Sequence, residues 1–222
     1  NHGYPRNLHF FGIRGGYKGL ESLRGEEDSD WVMRLHPRIT DEWSLQGCSS
    51  LHVLRTASYD PEKDKSAFDS FVARLVANVR ELQLDVLYTC GGNGTLSLAQ
   101  HLAEILRHPG QGEKPCVVVA GPKTMDNDIN FTDSSFGFRT VSDNSIRIVA
   151  DFHREAETLE RVGILELFGA GSGFVALHAA YASGEADYVL IPESMGNTIA
   201  QAQAELANAV HVLRNKHYRK KH

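Results

Sequence analysis

Cysteine is scarce in this 222-residue chain. Cys48, Cys90 and Cys116 are odd in number, far apart and without C-x-x-C spacing, which gives no zinc or redox motif and fits free thiols in a reducing compartment, so the cytoplasm is the expected location. Long apolar runs are absent too: none approaches the ~20 residues that span a bilayer, and no signal-peptide pattern is present, so no membrane partner is expected. A basic excess is also lacking. The 23 Lys and Arg face 28 Asp and Glu, for a formal charge of -5 and a pI near 6.1, which gives no net attraction to nucleic acid. The 11 histidines show no HExxH-type spacing and read as surface and packing residues. What is present, 41% hydrophobic and 23% charged residues, suffices for one good core and most simply a single globular domain over residues 1–222. The first residue is Asn1 rather than Met, which leaves room for an upstream start.

Short apolar runs alternate with helical patterns. Residues 8–13, 84–89, 115–120, 162–167 and 187–191 read as strands, apolar enough for burial on both faces, as in a parallel sheet. Between them, Phe68, Phe71, Val72, Leu75, Val76 and Val79 follow a helical period and predict an amphipathic helix over 64–82. Residues 95–107, 134–157, 172–184 and 197–214 read as further helices. The alternation argues for an open, doubly wound α/β sheet whose ligands bind beyond the carboxyl ends of its strands.

Unusual residues gather at those ends. After 84–89 comes CGGNGT, in which Gly91, Gly92 and Gly94 allow close backbone approach and Thr95 is expected to cap the next helix, a start that favours phosphate. After 115–120 comes PKTMDNDI, with Thr124, Asp126 and Asp128 two apart. If that stretch stays extended, a hydroxyl and two carboxylates converge, as activation of an attacking alcohol requires. After 162–167 comes FGAGSGF. Each loop has a reading as ordinary turn chemistry, but three in succession point to a phosphate-handling site.

Taken together, GIRGGYKGL (12–20), CGGNGT (90–95), PKTMDNDI (122–129), SSFGFRT (134–140) and the run from Leu165 to Glu193 resemble the phosphofructokinase family, in order and over nearly the whole chain. The resemblance implies a Rossmann-like, three-layer α/β sandwich with a mainly parallel sheet. It implies phosphorylation of the 1-hydroxyl of fructose 6-phosphate, with Asp126 as base and Thr124 and Asp128 beside it. Gly91, Gly92, Asn93, Gly94, Thr95, Lys123, Tyr17 and Arg55 fall at or near nucleotide positions. Phe168 and Gly169 fall at the substrate, and Arg161 falls where the family binds the sugar phosphate across a subunit boundary, implying a homo-oligomer. Glu193 falls at an effector-site carboxylate of some bacterial members. ATP, or alternatively pyrophosphate, is the implied donor, with Mg2+. Gly94 favours ATP, because pyrophosphate users commonly carry an obstructing Asp there, whereas Lys123 occurs in pyrophosphate enzymes and in one long-chain group of ATP enzymes.

The departures weigh against catalysis. Asn93 stands where the family has a magnesium-binding Asp, and an amide is a poorer ligand for this hard cation. Ala170 stands where it has an arginine that neutralises charge on the transferring phosphoryl group; such an arginine is worth about 10³–10⁵ in rate. Arg139, Cys48 and His52 are further departures. The first strand with its glycine loop and most of the second lobe are expected to be missing. The terminal RNKHYRKKH reads either as a solvated helix end or as a contact for an anionic partner. Two classes stay open: a phosphotransferase, and a non-catalytic relative that binds nucleotide or sugar phosphate or acts as a partner subunit.

Overall fold

The computed structural model describes residues 8–23, 30–45, 47, 49–54, 62–195 and 198–220. Arg55 and Cys48 lie outside the described residues. The chain forms two compact units: unit 1 comprises residues 1–89 and 97–119, and unit 2 comprises residues 90–96 and 120–222.

In unit 1, β1 (Phe10–Ile13) pairs antiparallel with β2 (Val32–Leu35), Phe10 opposite Leu35 and Ile13 opposite Val32. The apolar run at 8–13 thus lies outside the parallel sheet expected for it, and β2 is a strand that the sequence pattern does not announce. The two form a separate antiparallel pair, which Arg14 N–H extends by closing on Trp31 C=O at 2.8 Å. Between them lies α1 (Tyr17–Glu21), entered through Gly15 and Gly16, both at positive φ. A four-residue α2 (Pro37–Thr40) follows β2.

The helix α3 (Lys65–Glu81) carries the core. All six residues of its predicted stripe, from Phe68 to Val79, are buried, with Phe71 and Leu75 fully so. They join Leu20, Leu87 and, from α4 (Asn93–Leu106), Leu98, Leu102 and Leu106 in one cluster. Each fully buried side chain of this size stabilises by roughly 1.5–3 kcal/mol. Asn78 Nδ2 donates to Leu20 O at 2.7 Å, and the Glu21 carboxylate accepts from Lys18 and Arg74, which joins α1 to α3. Asp64 caps α3 through Oδ1, which accepts from Ala67 N at 2.9 Å. Asp64→Ala is expected to lower stability by about 1 kcal/mol in denaturant titration, with Asp64→Ser close to neutral. Equal losses for the two variants would remove the capping role.

The main sheet has the order β3 (Val86–Gly91), β4 (Val117–Thr124), β5 (Phe136–Gly137). β4 and β5 are parallel, Lys123 opposite Phe136 and Thr124 opposite Gly137. The α/β class expected from the sequence is borne out, but several details differ. β3 is not buried on both faces: it alternates, Leu87 and Thr89 inward, Val86 and Tyr88 more than half exposed. Residues 162–167 and 187–191 form no strand. Gly163 instead lies against Phe152 of α5 (Phe138–Thr158), and the chain turns after Ile191, whose carbonyl accepts from Ser194 N and Met195 N. An apolar run becomes a strand only where an open ladder edge meets it. The helix expected over 134–157 starts later because Gly137, at φ 102, ends β5 before the first turn.

In unit 2, α5 packs on α6 (Phe174–Ser183) through small buried residues, Ser142 and Ser145 on one and Val175 and Ala179 on the other. Phe138 stands edge-on to Phe174 and His178. The last helix, α7, spans Ile199–Lys220.

Candidate phosphoryl-transfer site

Unit 2 brings the three glycine- and acid-rich loops together. The first opens α4, which starts at Asn93, two residues earlier than expected, with Gly92 C=O accepting from Leu96 N at 3.0 Å. Thr95 is therefore inside the helix rather than its cap. It packs under Gly91, where a Cβ would fall 2.3 Å from Thr95 Oγ1. Gly94 differs: a Cβ there would meet nothing within 4 Å. Glycine inside a helix costs about 1 kcal/mol relative to alanine, and here no packing among the described residues requires it.

The second loop leaves β4 at Thr124 and does not stay extended. Asn127 takes φ 53, so the convergence of Thr124, Asp126 and Asp128 by strict alternation fails at that residue. Asparagine tolerates this conformation better than most residues. A buried network holds the bend. Asn127 Oδ1 accepts from Ser135 N at 2.8 Å, Ser135 Oγ donates to Thr124 O at 2.6 Å, and Thr124 Oγ1 accepts from Asp126 N at 3.2 Å.

The third loop is pinned to the second. Ser172 Oγ donates to Asp126 O at 2.6 Å, and Ser172 is buried. Gly169 sits at φ 127. Gly173 N donates to both oxygens of Glu193, at 2.9 and 3.0 Å, so this carboxylate sits at the start of α6, where its charge complements the helix dipole. The first and second loops meet at Asn93, whose Nδ2 donates to Asp128 Oδ2 at 2.8 Å. Gly92 also faces Thr124, its would-be Cβ 3.7 Å from Thr124 Cβ.

The two acids thus differ. Asp128 is exposed and held by the Asn93 amide. Asp126 is half-buried, with both backbone polar groups engaged, while its carboxylate accepts no hydrogen bond among the described residues. A fixed backbone carrying an unengaged carboxylate suits a base. Lys123 is exposed beside the end of β3, and its charge partly offsets the rise in the Cys90 thiol pKa that burial causes. Ser172, Ser135 and Asn127 were not among the residues singled out from sequence, yet they build the loop. The one available signal was an asparagine between two acids, a residue suited to a left-handed bend.

Tyr17 belongs to unit 1, packs against its core and has a phenol pKa raised by burial, with the Thr89 hydroxyl acting in the opposite direction. Arg161 is exposed just after α5, with its backbone N–H on Ala156 O at 2.9 Å. Phe168 and Ala170 are exposed on the third loop.

The phosphofructokinase family profile matches residues 1–221. The chain belongs to the phosphofructokinase family. An ATP-dependent 6-phosphofructokinase of Entamoeba histolytica is 36% identical over 184 residues, covering 82% of this chain and 38% of that protein. One from Spirochaeta thermophila is 33% identical over 217 residues, covering 96% of this chain and 52% of that protein. The chain thus spans about half the length, or less, of these relatives. The T-state crystal structure of Pichia pastoris phosphofructokinase superposes with a TM-score of 0.68 at 21% identity, over 94% of this chain and 23% of that one. A pyrophosphate-dependent phosphofructokinase from Marinobacter aquaeolei gives 0.63 at 19%, over 85% and 45%. These two likenesses establish the fold.

The magnesium implied by family membership does not fit the donor set. No group of three His, Cys, Asp or Glu among the described residues could hold a metal ion, and the amide facing Asp128 presents N–H donors where a hard cation needs oxygen. No described helix is long and apolar enough to cross a membrane.

Proposed function

We propose that this chain carries the donor and base edge of an ATP-dependent 6-phosphofructokinase, acting on the 1-hydroxyl of fructose 6-phosphate. Asp126 takes the hydroxyl proton as the alcohol oxygen attacks the γ-phosphorus and ADP leaves. The nucleotide lies over the start of α4, where Asn93 and Gly94 present first-turn N–H groups that have no acceptor within the helix. Lys123 adds positive charge nearby, while Asp128, Thr124, Phe168 and Gly169 contact the substrates. Arg161, being exposed, is available to the sugar phosphate of a second copy in a homo-oligomer. The observation that carries this reading is the join of the three loops, Asn93 to Asp128 and Ser172 to Asp126, around the unengaged Asp126 carboxylate.

Gly94 supports ATP over pyrophosphate, since the space above it is open. Calorimetric titration of Gly94→Asp tests this. An acid in the first turn favours the helix, so the fold should hold while ATP binding weakens tenfold or more, about 1.4 kcal/mol, and pyrophosphate binding does not. Unchanged ATP affinity would remove the nucleotide from this loop. A second reading, a non-catalytic binder or partner subunit, is favoured by Ala170 and by the engagement of Asp128 with Asn93.

A further inference from the structure

We infer that Asn93 and Asp128 form an internal clasp standing in for a divalent cation, and that the single change Asn93→Asp converts it into a cation site. The inference deepens the reading of this edge as a phosphoryl site and rests on it for its meaning.

The geometry makes the case. The Asn93 amide nitrogen stands 2.8 Å from Asp128 Oδ2, a charge-assisted hydrogen bond; with the amide reversed, two oxygens would face each other at repulsive range. The bond occupies a lone pair that a cation would need and offers an N–H in place of a ligand. Magnesium holds its oxygens at 2.0–2.1 Å in an octahedron, so neighbouring ligands lie about 2.9 Å apart. The clasp already has that spacing, and an oxygen in place of the amide nitrogen would leave two carboxylates whose mutual repulsion a bridging cation relieves. Both backbones are braced: Gly91 packs on Thr95 of α4, and the second loop is held by Ser135 at Thr124 and Asn127. The swap therefore alters charge and ligand type at two positions whose backbones stay braced.

The test is titration of the full chain with Mn2+ alone, reading free ion by electron paramagnetic resonance and the fold by circular dichroism. The wild-type chain and Asp128→Asn are expected to show no saturable site below millimolar Mn2+. Asn93→Asp is expected to gain one site at least tenfold tighter, which Asn93→Asp with Asp128→Asn loses again. A micromolar site in the wild type that Asp128→Asn abolishes would overturn the inference, as would a folded Asn93→Asp that binds no better than wild type. No nucleotide or sugar phosphate is used, so this outcome is separate from that of the Gly94→Asp titration.

Discussion

Gly169→Ala is expected to lose the third loop from the site and to lower stability by several kcal/mol, among the largest effects of any single-methyl addition in this chain. The new Cβ would fall 2.0 Å from the carbonyl oxygen of Ser172, a backbone atom that cannot swing aside as a side-chain tip can. The residue also sits at φ 127, where an L side chain adds strain of about 1–3 kcal/mol. Clash and strain together exceed what the loop can absorb in place, so residues 169–172 must move. The bond from Ser172 Oγ to Asp126 O then breaks. Denaturant titration reads the stability and hydrogen exchange at the Asp126 amide reads the loop. Gly171→Ala is the control, since a Cβ there would meet nothing within 4 Å. Equal behaviour of the two variants would show that the third loop does not depend on the backbone form of Gly169.

The helices were more legible in the sequence than the sheet, for a physical reason. The stripe from Phe68 to Val79 states its own period and needs no partner to be recognised, and all six residues are buried as expected. Strands depend on an edge elsewhere. Residues 162–167 and 187–191 are as apolar as β3 yet meet no ladder, while β2, only four residues long, was found by pairing with β1. At the site, the loops and their acids were legible because three apolar runs in succession end in glycine- or acid-rich stretches. Their geometry was not. Alternation predicted that Thr124, Asp126 and Asp128 would align, whereas Asn127 at φ 53 breaks the alternation and the alignment is replaced by a hydrogen-bonded bend. The partner of Asp128 was equally hidden, since 35 residues separate it from Asn93 along the chain.

Phosphoryl transfer by the 222-residue chain itself is expected to be negligible, and Ala170→Arg alone is not expected to restore it. Asp126 supplies a base, but a base contributes only about 10²–10⁴ in rate, and only when donor and acceptor are already held in line. The larger share of phosphoryl transfer is electrostatic. A cation at the developing charge is worth about 10³–10⁵, and Ala170 presents a methyl group in its place. Asn93 removes a second source, since its amide engages Asp128 instead of leaving that carboxylate to other ligands. Restoring one of the two leaves the other deficit whole, so the rate stays below detection in a coupled assay for fructose 1,6-bisphosphate with ATP or pyrophosphate. ATP affinity, measured by calorimetry, should stay within about twofold between wild type and Asp126→Ala, because the base touches the acceptor rather than the nucleotide. Robust wild-type turnover that Asp126→Ala abolishes would show that the departures at 93 and 170 are tolerated, and would make this chain an enzyme in its own right.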